Sequence, residues 1–208
     1  MSGSYDFEEQ ERLAELKGWW EDNRWYVVGA IAAALLAFAG FRGWHYWKAS
    51  EGDDAAAMYA AAVKGPKEQQ LAAFDALVVK HPGSFVASEA QLVAAKSRFE
   101  AGDYAEARKR LEWVMAKGVD EHRGVARLRL ASVLLEEKKY AEALKVLDDN
   151  KDEAFVALAA DLRGDIMLAQ GRIDEARAAY KMASEKAEAR NPVKQIADTK
   201  LNALGGAQ

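Results

Sequence analysis

Three side chains of this sequence suit metal binding or proton transfer near neutral pH: His45, His81 and His122. They lie far apart, and none forms a spaced pair that one helix face could offer to a metal. There is no cysteine, so thiolate chemistry is absent. The carboxylate pairs Asp148-Asp149 and Asp152-Glu153 are sequence neighbours in an expected loop. No Gly-rich phosphate loop and no nucleophile elbow occurs. The residues therefore predict no catalytic site, cofactor, metal or small-molecule substrate. His81, just before Pro82, reads as a helix C-terminal residue placed well against the helix dipole.

With no site chemistry in view, the elements carry the information. Beyond Lys48 the chain is rich in alanine and lacks period-2 apolar runs, which predicts helices throughout. Pro66, Pro82 and Pro192 each mark an expected helix boundary. The segment EAGDYAEARKRLEWV from Glu100 is echoed by EEKKYAEALKVLDDN from Glu136 and by LAQGRIDEARAAYKMA from Leu168. Their shared alanines, Ala107, Ala143 and Ala176, stand 36 and 33 residues apart. Tyr104, Tyr140 or Ile173 lies three before each, and Leu111, Leu147 or Tyr180 four after. A small residue, Ala95, Ala131 or Gly164, lies twelve before each.

Two antiparallel helices per unit explain this pattern: small residues allow close backbones, and the larger apolar residue fills the seam. Gly102 and Gly171 suit the turns, and Lys138-Lys139 takes the place of the turn glycine in the middle unit. The units resemble tetratricopeptide repeats, whose period is 34. A fainter unit, MYAAAV with QQLAAFDALVVKHP, precedes them, with Phe74 and Leu77 as core residues. After Asn191-Pro192 a last helix is expected to cap the stack. Its phase puts Val193, Ile196, Ala197 and Leu204 inward and Lys194, Asp198 and Lys200 outward.

In such repeats the first helix of each unit lines a concave face. The repeat phase predicts there Leu92, Lys96 and Phe99, then Val125, Leu128, Ser132 and Leu135, then Leu158, Asp161, Asp165 and Leu168. Phe99, Leu135 and Leu168 are equally readable as buried by the next unit. A subclass of these repeats clamps a terminal carboxylate with Lys, Asn and Arg. Only Lys96 stands at such a position, which argues against that clamp.

Near the front, Trp25 to Phe41 is a run of 17 residues without charge, and extending it to Trp47 adds only Arg42. As a helix this covers ~25 Å uncharged and ~34 Å in full, bracketing the ~30 Å bilayer core. Trp19, Trp20, Trp25, Tyr26, Trp44, Tyr46 and Trp47 flank it, as interfacial aromatic belts do. The leader before it has seven acids and three bases, the wrong sign for a cleaved secretory signal. A retained anchor is expected. Its leader is expected to be disordered or a short helix on the membrane surface. Gly29, Ala33, Ala37 and Gly40 share one side of the anchor as a candidate packing face. Alanine enrichment alone gives the same stripe, so both readings stand.

The net charge is −4, and the leader accounts for all of it. The remaining bases are interspersed with acids, which argues against nucleic acid as a partner. Three Lys/Arg precede the anchor closely and two follow, favouring an inside amino terminus by one residue. The fold class expected is all-α: a single N-terminal transmembrane helix, then a tetratricopeptide-repeat-like α-solenoid with a C-terminal capping helix. Its segments are residues 1–24, 25–47 and 48–208.

An acidic leader (FEEQERLAELKGWWEDN), one Trp-flanked anchor and an Ala-rich repeat domain together resemble the YfgM family. That resemblance implies an ancillary subunit of the SecYEG translocon in the bacterial inner membrane, with a cytoplasmic leader and a periplasmic repeat domain. It implies a non-enzymatic, protein-binding adaptor that helps pass secreted proteins to periplasmic chaperones. The implied partners are SecYEG, the membrane-anchored chaperone PpiD and the lipid bilayer, with unfolded secreted proteins as candidate clients. An envelope-assembly or cell-division scaffold is the alternative function for the same architecture.

Overall fold

The structure, a computed structural model, describes the backbone of residues 3–150 and 152–205; the side chains of residues 3–11 and 47–49 lie outside the description. The described residues are helical apart from short turns. The chain divides into two compact units, residues 1–52 and residues 53–208.

The first unit is a single helical segment. Helix α1 (Gly3–Lys64) supplies it and also contributes its last turns to the second unit. The leader is therefore helical from Gly3 and continuous with the apolar stretch, rather than disordered or a separate short helix. Its Glu, Gln, Leu, Ala and Arg are good helix formers, and the first proline of the chain is Pro66. Within the unit Val28, Ile31, Leu35, Leu36, Phe38 and Phe41 are all exposed. A helix apolar on every side, with no other described residue covering it, suits a non-aqueous surround. The helix is long and apolar enough to cross a membrane.

The second unit is a stack of helix pairs. The end of α1 pairs with α2 (Lys67–Lys80), α3 (Phe85–Glu100) with α4 (Tyr104–Lys117), α5 (Asp120–Glu136) with α6 (Tyr140–Asp148), and α7 (Val156–Ala169) with α8 (Ile173–Lys186). A 3₁₀ turn, Glu153–Phe155, leads into α7, and α9 (Pro192–Ala203) closes the stack against α8 and α7. An apolar cluster joins the first pair, through Ala55, Ala62, Phe74 and Leu77, to Ala90 and Ala94 of α3.

The repeat positions explain the packing. Ala107, Ala143 and Ala176 are fully buried, and Leu111, Leu147 and Tyr180 four residues on are buried as well. In the first two full repeats the seam pairs a buried alanine, Ala95 or Ala131, with a leucine filler. In the third the filler is Tyr180, and its ring occupies the space a side chain at residue 164 would need. A Cβ on Gly164 would lie 2.3 Å from the ring. The glycine and the tyrosine are thus one substitution in volume, since a close-packed seam holds a fixed total.

The turns α3–α4, α5–α6 and α7–α8 are built alike. The amide of Asp103 donates to Arg98 O and that of Gly102 to Phe99 O, both at 2.9 Å. Lys139 to Leu134 (2.8 Å) with Lys138 to Leu135 (2.9 Å), and Arg172 to Met167 with Gly171 to Leu168 (both 2.9 Å), repeat the arrangement. This double bond from the first residues past a helix needs a left-handed residue. Gly102 (φ 76°) and Gly171 (φ 74°) supply it without strain, and Lys138 adopts the same conformation at φ 59°. Replacing glycine there left the turn intact, at a backbone cost.

Candidate functional site

The histidines and acids that opened the sequence reading have structural duties. His45 sits edge-on between the rings of Phe41 and Trp44. His81 caps α2, and its Nε2 lies 3.0 Å from Asp54 Oδ2, which also accepts from Lys80 Nζ at 2.5 Å. Those two hydrogen bonds hold the Asp54 carboxyl below its ordinary pKa. His122 packs on Phe85, ring centroids 4.4 Å apart, with Glu89 3.5 Å from its Nε2. Asp148 pairs with Arg163, and Asp152 accepts from Ala154 N to cap the 3₁₀ turn. Among the described residues no three metal-capable side chains come together.

On the anchor, Trp19, Trp20, Trp25, Tyr26, Trp44 and Tyr46 are exposed, and the Trp47 side chain lies outside the described residues. Gly29, Ala33, Ala37 and Gly40 are exposed too, and a Cβ on either glycine would meet nothing within 4 Å.

The face formed by the first helices α3, α5 and α7 divides in two. Between α3 and α5 lies a groove of ≈ 320 Å³, lined by Ala95, Lys96, Phe99, Leu111, Arg129, Ser132 and Val133. Lys96, Phe99 and Ser132 of the expected set meet there. Leu92 does not: it is buried in the core at 2% exposure, because its turn of α3 packs inward. Val125, Leu128 and Leu135 are half-buried against the same core, and Phe99 packs there as well, tilted on the Tyr104 ring at 5.4 Å. Leu158 and Leu168 are exposed.

Arg129 was missed in the sequence. It occupies the repeat position of Val93 and Leu162, one residue beyond the positions taken to line the face. Its Nη1 donates to Leu92 O at 3.1 Å, which steers the guanidinium across α3 and along the groove.

Asp161 and Asp165 hold the repeat positions of Leu92, Leu128 and of Lys96, Ser132, but they do not face an open groove. Lys200 of α9 donates to Asp161 Oδ2 (2.8 Å) and to both oxygens of Asp165 (2.7 and 2.9 Å). The Tyr180 hydroxyl donates to Asp165 Oδ1 at 2.8 Å. Burial raises the pKa of Asp161 and of Tyr180. Burial opposes the Lys200 ammonium, but its hydrogen bonds to the two aspartates outweigh this and raise its pKa. The phase expected for α9 is corrected accordingly. Lys200 turns inward and Ile196 is exposed, while Val193 and Ala197 are buried as expected. Two carboxylates below α9 demand a cation, and that outweighs covering one isoleucine.

Comparison with known proteins places this geometry in a family. A family model described as a tetratricopeptide repeat-like domain matches residues 17–206. A Neisseria gonorrhoeae protein named ancillary SecYEG translocon subunit is 31% identical over 203 residues, 95% of this chain and 97% of its own. An Aggregatibacter actinomycetemcomitans protein of the same name is 32% identical, across 97% of this chain and 100% of its own. The chain belongs to the ancillary SecYEG translocon subunit family. The Escherichia coli member of that name is 28% identical across 96% of this chain and 98% of its own. The family match spans the anchor as well as the repeats, so the ancillary-subunit family shares the whole arrangement and not the repeats alone. The MamA RS-1 ArsTM double mutant shares the fold, with a TM-score of 0.56, 18% identity and coverage of 74% of this chain and 83% of that one.

Proposed function

We propose that this protein is a non-enzymatic adaptor of the SecYEG translocon, held in the bacterial inner membrane by α1 and binding proteins through its repeats. Its leader is cytoplasmic and its repeat domain periplasmic. There it helps pass secreted proteins to chaperones, with PpiD and unfolded secreted chains as further partners. The observation that carries this reading is end-to-end similarity to relatives named as ancillary translocon subunits. An all-round apolar helix bearing exposed aromatics at both ends supports the membrane placement. The small-residue stripe Gly29, Ala33, Ala37 and Gly40 is a helix contact in this reading, since small residues let membrane helices approach closely.

Affinity capture of the detergent-solubilised full chain tests the assignment. Co-recovery of translocon subunits is expected, and their absence overturns it. Protease protection in membrane vesicles tests the orientation: the leader and the repeat domain are expected on opposite sides. Gly29→Leu with Ala33→Leu keeps α1 insertable, because leucine is at least as apolar. Weaker co-recovery from that variant supports the helix contact, and unchanged recovery removes it.

A further inference from the structure

We propose that the groove between α3 and α5 binds an extended peptide segment presenting a carboxylate beside a bulky apolar side chain. This rests on the protein-binding reading above and names what the repeats bind. Three observations carry it.

The groove is built for one apolar side chain. Its floor is Leu111 and Val133, both core residues, with Ala95 small enough to leave depth and Phe99 as a wall. At ≈ 320 Å³ it lies at the lower end of the range for ligand sites. That is room for one large side chain with some backbone.

Its rim is cationic. Lys96 is exposed, and its one ion pair is a long one, 3.7 Å to Glu100 on its own helix. Arg129 has no carboxylate within ion-pair distance among the described residues, and its bond to Leu92 O holds it over the groove with donors to spare. A guanidinium fixed on one side uses fewer rotamers on binding, so a carboxylate docks there at lower entropic cost. Ser132 donates to Leu128 O, and its lone pairs stay available to a peptide amide.

The rest of the face gives direction. The acids at the equivalent positions of α7 are met from within by Lys200 and Tyr180, so they do not neutralise the rim cations. The cationic end is thus the α3–α5 end, and charge complementarity selects an anionic segment there.

The test uses the full chain in detergent and a surface-bound array of ten-residue peptides composed from Asp, Lys, Leu, Phe, Ser and Gly. Peptides with Asp within two residues of Leu or Phe are expected to be selected, and binding is expected to fall as salt rises. Lys96→Glu with Arg129→Glu, both surface changes checked by an unchanged melting curve, is expected to weaken those peptides about tenfold and to turn selection toward Lys. Selection of Lys-rich peptides by the wild type, no selection at all, or indifference to the double variant overturns the proposal. Translocon co-recovery is measured on the same preparations. A silent array with translocon recovered sinks the groove alone, whereas groove binding without translocon sinks the adaptor reading instead.

Discussion

The α3–α5 end and the α7–α9 end of the repeat stack carry the same positions to different ends. Lys96, Ser132 and Asp165 are equivalent in the repeat, as are Leu92, Leu128 and Asp161. At the first end the neighbouring helix brings Arg129, a second cation, and leaves the charges of the groove rim open. At the second the neighbour is the capping helix, and its Lys200 closes the charges into a half-buried network. A position in a repeat therefore does not have a role of its own; the next helix in the stack assigns it. An open rim serves recognition, and a closed network serves to hold a terminal helix that has little apolar surface to bury.

The strongest way to break this contrast is at the seam of the third repeat. Gly164→Ala is expected to cost about 1–3 kcal/mol, since its Cβ would meet the Tyr180 ring. Tyr180→Leu alone leaves a cavity and removes the hydroxyl's bond to Asp165, at about 2–3 kcal/mol. The double variant recreates the alanine–leucine seam of the other repeats, and it is expected to recover at least ~1 kcal/mol relative to the sum. Denaturant unfolding of the full chain in detergent measures this. Additive losses mean that the two residues are not one volume exchange.

Lys200→Ala is expected next, at about 1–2 kcal/mol, because it leaves two half-buried carboxylates facing each other. Hydrogen exchange is expected to quicken in α9 and to stay unchanged in α3. Equal quickening in both would mean that the two ends are not independent.

Lys138→Gly is expected to stabilise the chain by roughly 0.5–1 kcal/mol, by removing a left-handed lysine from a turn that keeps its hydrogen bonds. A loss of stability in the same unfolding measurement would mean that the lysine side chain contributes more than its backbone costs.

The smallest effect is expected from Asp161→Asn, within about 0.5 kcal/mol near neutral pH, because the amide oxygen still accepts from Lys200 while the charge at residue 161 is no longer desolvated. Its signature is in the pH dependence. The raised pKa of Asp161 favours the folded state in acid: that contribution is complete below the ordinary carboxylate pKa and fades as pH rises through the raised one. Asp198, held low by its bond from Ser184, acts oppositely and loses its contribution as pH falls. The variant loses the first influence and keeps the second, so as pH falls from neutrality toward the ordinary carboxylate pKa its stability is expected to fall more steeply than that of the wild type. Parallel curves would show that Asp161 titrates alike folded and unfolded.

What the sequence by itself determined is whatever is local and periodic. The anchor is legible because a bilayer demands an unbroken apolar run of a set length, and Trp25 to Phe41 meets that demand without help from other residues. The helix pairs are legible because Ala107, Ala143 and Ala176 recur with a small partner twelve residues before and a filler four after. Even the Lys138 turn could be placed from Gly102 and Gly171, since the same short chain reversal recurs. What only the tertiary structure decided is how charges on different helices meet. Arg129 reaches a carbonyl 37 residues away, and Lys200 reaches carboxylates 35 and 39 residues away. No helical period encodes such distances. The setting of α9 shows the physical reason. Apolar periodicity favours Ile196 inward, but at 48% exposure it is already half covered, so full burial would add only about 1 kcal/mol. Leaving Asp161 and Asp165 half-buried side by side without a cation costs more, about 1–2 kcal/mol. That penalty exists only once α9 lies against α7, so the fold had to form before it could choose which side of its last helix to bury.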